Sequence, residues 1–153
     1  MPIRPTEVAS LTATMMKSNE ERRFIDTNII VYFASTVPTK SKIAWDIIVS
    51  GGIVSVQVLN EFVNTARGPK HRMSWGEIHD VLAVVRRQFE IVALNDEQQQ
   101  LAVSIAERHN RNIYDATIIA SAIDSSCDTL MSEDGHHGWT LGGLTIINPF
   151  RPR

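Results

Sequence analysis

Cysteine is almost missing from this sequence: Cys127 stands alone among 153 residues. An internal disulfide is excluded, and the setting of Cys127 near an apolar segment marks it as a partly buried structural thiol in a reducing cytoplasm. Long apolar runs are missing as well. No stretch approaches the roughly 18 apolar residues of a membrane span, and Met1 to Glu20 lacks the apolar core of a secretory signal, so a soluble chain with no membrane partner is expected. There is no basic excess either, with 15 Lys and Arg against 17 Asp and Glu. That balance does not announce nucleic acid. It does not exclude it: four acids gathered around a cation would leave a slightly basic remainder. Cysteine and histidine spacing offers no zinc site, and no internal repeat or low-complexity tract is present.

What is present fits one compact domain with a real core, at 43% hydrophobic composition. Residues 1–22 read as a leader, loose or partly helical, and residues 23–153 as the folded domain. From Arg23 onward strand and helix signals alternate across short loops, which predicts an α/β fold with a short parallel sheet flanked by helices on both faces. The stretch Phe24-Ile25-Asp26-Thr27-Asn28 reads as a buried strand ending on a carboxylate and feeding a helix. Pro38-Thr39 opens a helix over 40–50 that Gly51-Gly52 ends, and Ile53-Val54 is a second strand. Ser55 caps a helix over 56–66, which stops at Gly68-Pro69. Ser74 and Glu77 form a capping box for a helix to about Arg87, with Trp75, Ile78, Leu82 and Val85 as its core stripe. Strand 90–93 follows, then a helix opened by Asn95 with Gln98 and buried through Leu101, Ala102 and Ile105. Asn112 caps a helix over 113–125, Thr129 to Met131 is a strand, Gly135 to Gly143 a turn-rich loop, and Leu144 to Ile147 the last strand.

Four acids fall at informative places. Asp26 leaves the carboxyl end of a strand, where open α/β sheets bind ligands, although capping the next helix would also account for it. Asp115 shares a helix face with Ile118, Ile119 and Ala122; on a buried stripe a carboxylate is costly unless paired, and its other reading is the return arm of a capping box with Asn112. Glu61 borders the apolar stripe of its helix, a position that a merely solvated glutamate also takes. Asp134, in Ser132-Glu133-Asp134-Gly135, also leaves a strand end, though Asp-Gly is an ordinary turn signal. Its neighbour Glu133 is expected to point away, and Asp128 lies at the wrong end of the strand. A cap needs no companions. Four converging carboxylates do need cations, since each pair repels by about 1 kcal/mol in water and about 4 kcal/mol at an effective dielectric of 20. Magnesium or manganese, which prefer carboxylate and water oxygens, are the natural occupants.

Taken in order, Phe24-Ile25-Asp26-Thr27-Asn28, Glu61 within 55–66, Tyr114 to Ala122 around Asp115, and Leu130-Met131-Ser132-Glu133-Asp134 resemble the motifs of PIN-domain nucleases, and among them the VapC-type toxins of bacterial toxin–antitoxin pairs. The resemblance covers Arg23 to the C-terminus and leaves the leader out. It implies a Rossmann-like PIN domain, often dimeric, that cleaves RNA with Mg²⁺ or Mn²⁺ and is silenced by a VapB-type antitoxin. By resemblance, Asp26 and Asp115 are central metal ligands, Glu61 completes the set, and Asp134 supports a second metal or a water. Asn28 and Ser132 match positions that orient those acids. In the implied reaction an activated water attacks phosphorus and the 3′-oxygen leaves.

Two basic clusters lie close in sequence to these acids: Arg67, Lys70, His71 and Arg72, and Arg108, His109 and Arg111. Each is either a holder of RNA phosphates or a solvated group compensating a helix C-terminus. His136 and His137 are not part of the family pattern, and phosphate contact or a solvated loop both remain open for them. Trp45, Trp75 and Trp139 are candidates for stacking bases, although the first two sit on helix stripes and read as core or interface. Two rival functions use the same acids: magnesium-dependent phosphoryl transfer, as in dehalogenase-like phosphatases or receiver domains, and a non-catalytic module that docks a basic partner. The first expects a second aspartate where Asn28 stands, or a lysine after a late strand that is not found near Asp134.

Overall fold

The computed structural model describes residues 21–153. The expected leader therefore lies outside the described residues except for Glu21 and Arg22.

The chain alternates strand and helix from β1 (Arg23–Ile25) and α1 (Thr27–Phe33) through α2 (Pro38–Ser50), β2 (Gly52–Ser55), α3 (Val56–Arg67), α4 (Trp75–Gln88), β3 (Phe89–Val92), α5 (Asp96–His109), α6 (Ile113–Asp124) and β4 (Thr129–Met131) to β5 (Thr140–Leu141) and β6 (Leu144–Ile147). Local chemistry accounts for most boundaries. Ser55 Oγ accepts the Val58 N–H, and Gly51 ends α2 at φ +72°, a conformation that costs a side chain more than it costs glycine. The capping box at Ser74 and Glu77 forms with both of its hydrogen bonds. At α5 only half of the expected pair forms: Asn95 caps the Gln98 N–H, while the Gln98 side chain, buried, bonds Asp124 and accepts from Ser121 instead.

The sheet runs in the order β3-β2-β1-β4-β6-β5. Every pairing is parallel except β5 with β6, so the expected parallel sheet acquires an antiparallel edge. Strand β5 lies inside the stretch 135–143 expected to be loop. Two residues opposite β6 are too short to carry an alternating pattern. Helices α1 to α4 pack on one another and α5 packs with α6.

β1 is the middle of this arrangement, with Phe24 and Ile25 fully buried. From it the chain goes first to β2 on one side and later to β4 on the other, which makes the crevice beyond the carboxyl ends of β1 and β4 the topological switch point. The register sets Phe24 against Leu130 and Ile25 against Met131, so the next residue of each strand, Asp26 and Ser132, emerge side by side. Two core expectations fail. Trp75 is 55% exposed and Leu101 36%; both sit on the expected helix stripe, but among the described residues that part of it is only partly covered, Trp75 by the Arg67 guanidinium.

Candidate functional site

At this switch point the structure opens a cleft of about 990 Å³ walled by Asp26, Glu61, Asp115 and Asp134. The four acids come from four different elements, and each has its own support.

Asp26 is both a helix cap and a member of the cleft. Its Oδ1 accepts the Thr27 N–H at 2.6 Å, while Oδ2 accepts the Ser132 hydroxyl at 2.6 Å and, more weakly, the Asn28 amide at 3.4 Å. Burial drives its pKa up to about 6; the bonds from Ser132 and Thr27 pull it down, and the charges of Asp115 and Glu61 add to the rise. Asn28 ties the two strand-end acids together, since its amide nitrogen also donates to Asp134 Oδ2 at 3.2 Å and its oxygen accepts the Glu133 N–H. Ser132 completes the hub by accepting the Asp134 N–H.

Glu61 faces α1 across the cleft floor. Its Oε2 accepts the hydroxyl of buried Thr27 at 2.9 Å, and its Oε1 accepts the amide of Gln57, one turn earlier on α3, at 2.9 Å. That amide also reaches the Tyr114 carbonyl, joining α3 to the start of α6. Neither Thr27 nor Gln57 was singled out from the sequence; a hydroxyl beside Asp26 and a Gln four positions before Glu61 were the signals available.

Asp115 departs from expectation. It does share the face of buried Ile118, Ile119 and Ala122, but it is itself exposed, because the first turn of α6 projects past the core into the cleft. It is no capping arm: Asn112 caps the Tyr114 N–H by itself. Among the described residues its carboxylate accepts no hydrogen bond, and its pKa is raised by desolvation and by the charges of Glu61 and Asp134, against a lowering contribution from Arg111.

Glu133 also reaches the cleft mouth, as a spent group. It pairs with Lys40 and accepts the Tyr32 hydroxyl at 2.6 Å. Burial raises its pKa, but those two bonds outweigh this and hold it below the ordinary range. Of the basic candidates, Lys70 and His71 line the cleft. Arg67 donates to the Met73 carbonyl and stacks on Trp75 at 4.9 Å, and Arg72 donates to Pro69, so both brace their own loop. Arg108 is exposed in the last turn of α5. Arg111 lies beyond Asp115, against Trp139. His137 accepts the Asn148 N–H, and His136 faces a neighbouring groove.

The donor set is all oxygen, and at both Asp26 and Asp115 burial raises the carboxyl pKa and neighbouring acid charges add to the rise, a chemistry that fits a hard divalent cation. As they stand, no three carboxylate, imidazole or thiolate groups among the described residues are close enough to share one ion. The acids form the walls of a pocket rather than a closed shell.

The sequence model of the PIN domain matches residues 23–137, from β1 through the loop after Asp134. The fold is similar to that of Mycobacterium tuberculosis VapC20, described as a Sarcin-Ricin loop cleaving toxin, with a TM-score of 0.62 and 17% identity over 74% of this chain and 90% of that one. It is equally similar to a toxin–antitoxin complex from Klebsiella pneumoniae, TM-score 0.62 and 16% identity over 85% and 99%. FitAcB from Neisseria gonorrhoeae follows at TM-score 0.58 and 16% identity over 85% and 99%. Identities this low speak for the fold alone, and no curated protein matches the chain by sequence. The family match covers most of the chain and every acid of the cleft, and on it the chain belongs to the PIN domain family.

Proposed function

We propose that this chain is a Mg²⁺- or Mn²⁺-dependent endoribonuclease and the toxin of a VapBC-type toxin–antitoxin pair, with residues 23–153 as its catalytic domain. The observation that carries the reading is the placement of Asp26, Glu61, Asp115 and Asp134 on the walls of one cleft at the switch point of a PIN fold. The relatives whose structures are toxin–antitoxin assemblies support the antitoxin partner.

In this reading Asp26, Asp115 and Glu61 hold the principal ion, and Asp134 supports a second ion or positions a water. A bound divalent ion supplies charge neutralisation and Lewis-acid polarisation of the phosphodiester. The protein does the rest. Asn28 and Ser132 fix the orientation of Asp26, and Thr27 with Gln57 fixes Glu61. Lys70 and His71, in the same cleft, draw the RNA phosphates toward the acids. Attack by water on phosphorus then releases the 3′-oxygen. Trp45 at 57% and Tyr114 at 63% exposure supply apolar contact area for the antitoxin and for a homodimer.

The test is brief induction in cells followed by mapping of RNA ends, comparing the wild-type chain with Asp115→Asn. New ends in the wild type and none in the variant are expected. Cleavage or growth arrest of equal strength in Asp115→Asn would sink the assignment.

A further inference from the structure

A second groove of about 470 Å³ shares Asp115 and Asp134 with the main cleft but is not lined by Lys70 or His71. Its other walls include His109, Arg111, His136 and Trp139. Three of these four form one stack: the Arg111 guanidinium lies 4.1 Å from the Trp139 ring centre, and His109 meets the same ring edge-on at 5.3 Å. Arg111 is only partly exposed, yet among the described residues it forms no ion pair and its side chain makes no hydrogen bond. A guanidinium carries five donors in a fixed fork; Arg111 feels the charge of Asp115 without bonding it, so its donors are available to a ligand that enters the groove. It contrasts with Arg67, which also stacks on a tryptophan but donates to a backbone carbonyl.

We propose that this groove is a second phosphate subsite for single-stranded RNA, with Arg111 as its donor and Trp139 as the shelf that positions it. A strand then crosses the acids from Lys70 and His71 on one side to Arg111 on the other, placing a phosphate between two cationic grips. The planar fork matches a phosphate's paired oxygens. His136, also on the groove's wall, offers a ring N–H. The proposal rests on the nuclease reading, and it names how the substrate is held rather than how it is cut.

The experiment measures binding without cleavage. A fluorescein-labelled twelve-nucleotide oligouridylate is titrated with the full chain in EDTA at several salt concentrations, by anisotropy. The wild type is expected to bind with a salt-dependent constant. Arg111→Gln is expected to bind roughly tenfold more weakly, with the log–log salt slope reduced by about 0.7, one single-strand phosphate contact. Arg111→Lys should keep the slope and lose part of the affinity, and Arg86→Gln, on the exposed face of α4, should match the wild type. RNA carrying 4-thiouridine is expected to cross-link to the peptide containing Trp139. Wild-type affinity and slope in a folded Arg111→Gln, or no RNA binding by the wild type, overturns the subsite. If a labelled polyglutamate peptide binds as tightly in an Arg111-dependent way, the groove belongs to an acidic protein and the proposal again fails. Cleavage judged separately by the Asp115→Asn comparison tells loss of this subsite from loss of the nuclease reading.

Discussion

Ser132 Oγ donates a 2.6 Å hydrogen bond to Asp26 Oδ2 across 106 positions of sequence. The bond follows from strand register: Ile25 pairs with Met131, and the Asp26 N–H bonds the Met131 carbonyl, so the residues after the two strands emerge together. Ser132 is buried, and among the described residues its hydroxyl bonds Asp26, Asp134 and Asn28 and nothing else.

Ser132→Ala removes one of the two bonds that lower the Asp26 pKa, so that pKa should climb further and the acidic limb of the cleavage profile should move to higher pH. Losing an orienting partner of a ligand costs roughly 10- to 100-fold in metal affinity. Calorimetric Mn²⁺ titration together with a pH–rate profile checks both; an unmoved acidic limb and unchanged affinity would remove Ser132 from the site.

Asp26 makes the metal-free fold pH-dependent. Its carboxyl is raised from 3.8 to about 6 in the folded state. Between those values the folded state holds a proton that the unfolded chain releases, so stability from this group is greatest below the lower value and is lost as pH rises to the upper one. A shift of about 2 units corresponds to about 3 kcal/mol. In EDTA near pH 8, Asp26→Asn is therefore expected to resist urea better than the wild type by about 2–3 kcal/mol, and the gain should vanish toward about pH 4. A gain that is absent near pH 8, or one that persists unchanged at low pH, contradicts the assignment.

Thr27→Val keeps the shape of a buried side chain and deletes the hydroxyl that holds Glu61. Glu61 retains Gln57 and solvent, so the fold should lose only about 1 kcal/mol. Its carboxylate is then free to swing, and Mn²⁺ affinity should fall by about tenfold. Urea unfolding and metal titration on the same variant separate the two effects.

Glu133 and Asp134 are adjacent acids in one cleft with different duties. Glu133 is engaged by Lys40 and Tyr32, whereas among the described residues the Asp134 carboxylate has only the Asn28 amide. Glu133→Gln is expected to leave Mn²⁺ affinity within about twofold, and Asp134→Asn to weaken it by roughly tenfold or more. The reverse ranking would exchange their roles.

Most element boundaries could be read directly from residues because caps, glycine stops and apolar periodicity act over a few positions. Ser55, the Ser74–Glu77 box, Asn112 and Gly51 determine their own surroundings, and the strand that ends at Asp26 announces itself by an apolar run halted at a carboxylate. The same locality explains the failures. Periodicity assigned Asp115, Trp75 and Leu101 to the correct helix faces, but whether a face is covered at a given turn depends on elements far away in sequence. Two-residue β5 has too little pattern to read, and Gln98 was free to choose a partner on α6 over its own cap. Only the tertiary structure decided that β1 lies between β2 and β4. That order, fixed by burial of both faces of β1 and by parallel register, is what brings Ser132 to Asp26, Thr27 to Glu61, and four acids to one cleft. The sequence by itself determined which residues carry the charge; long-range packing determined that the charges meet.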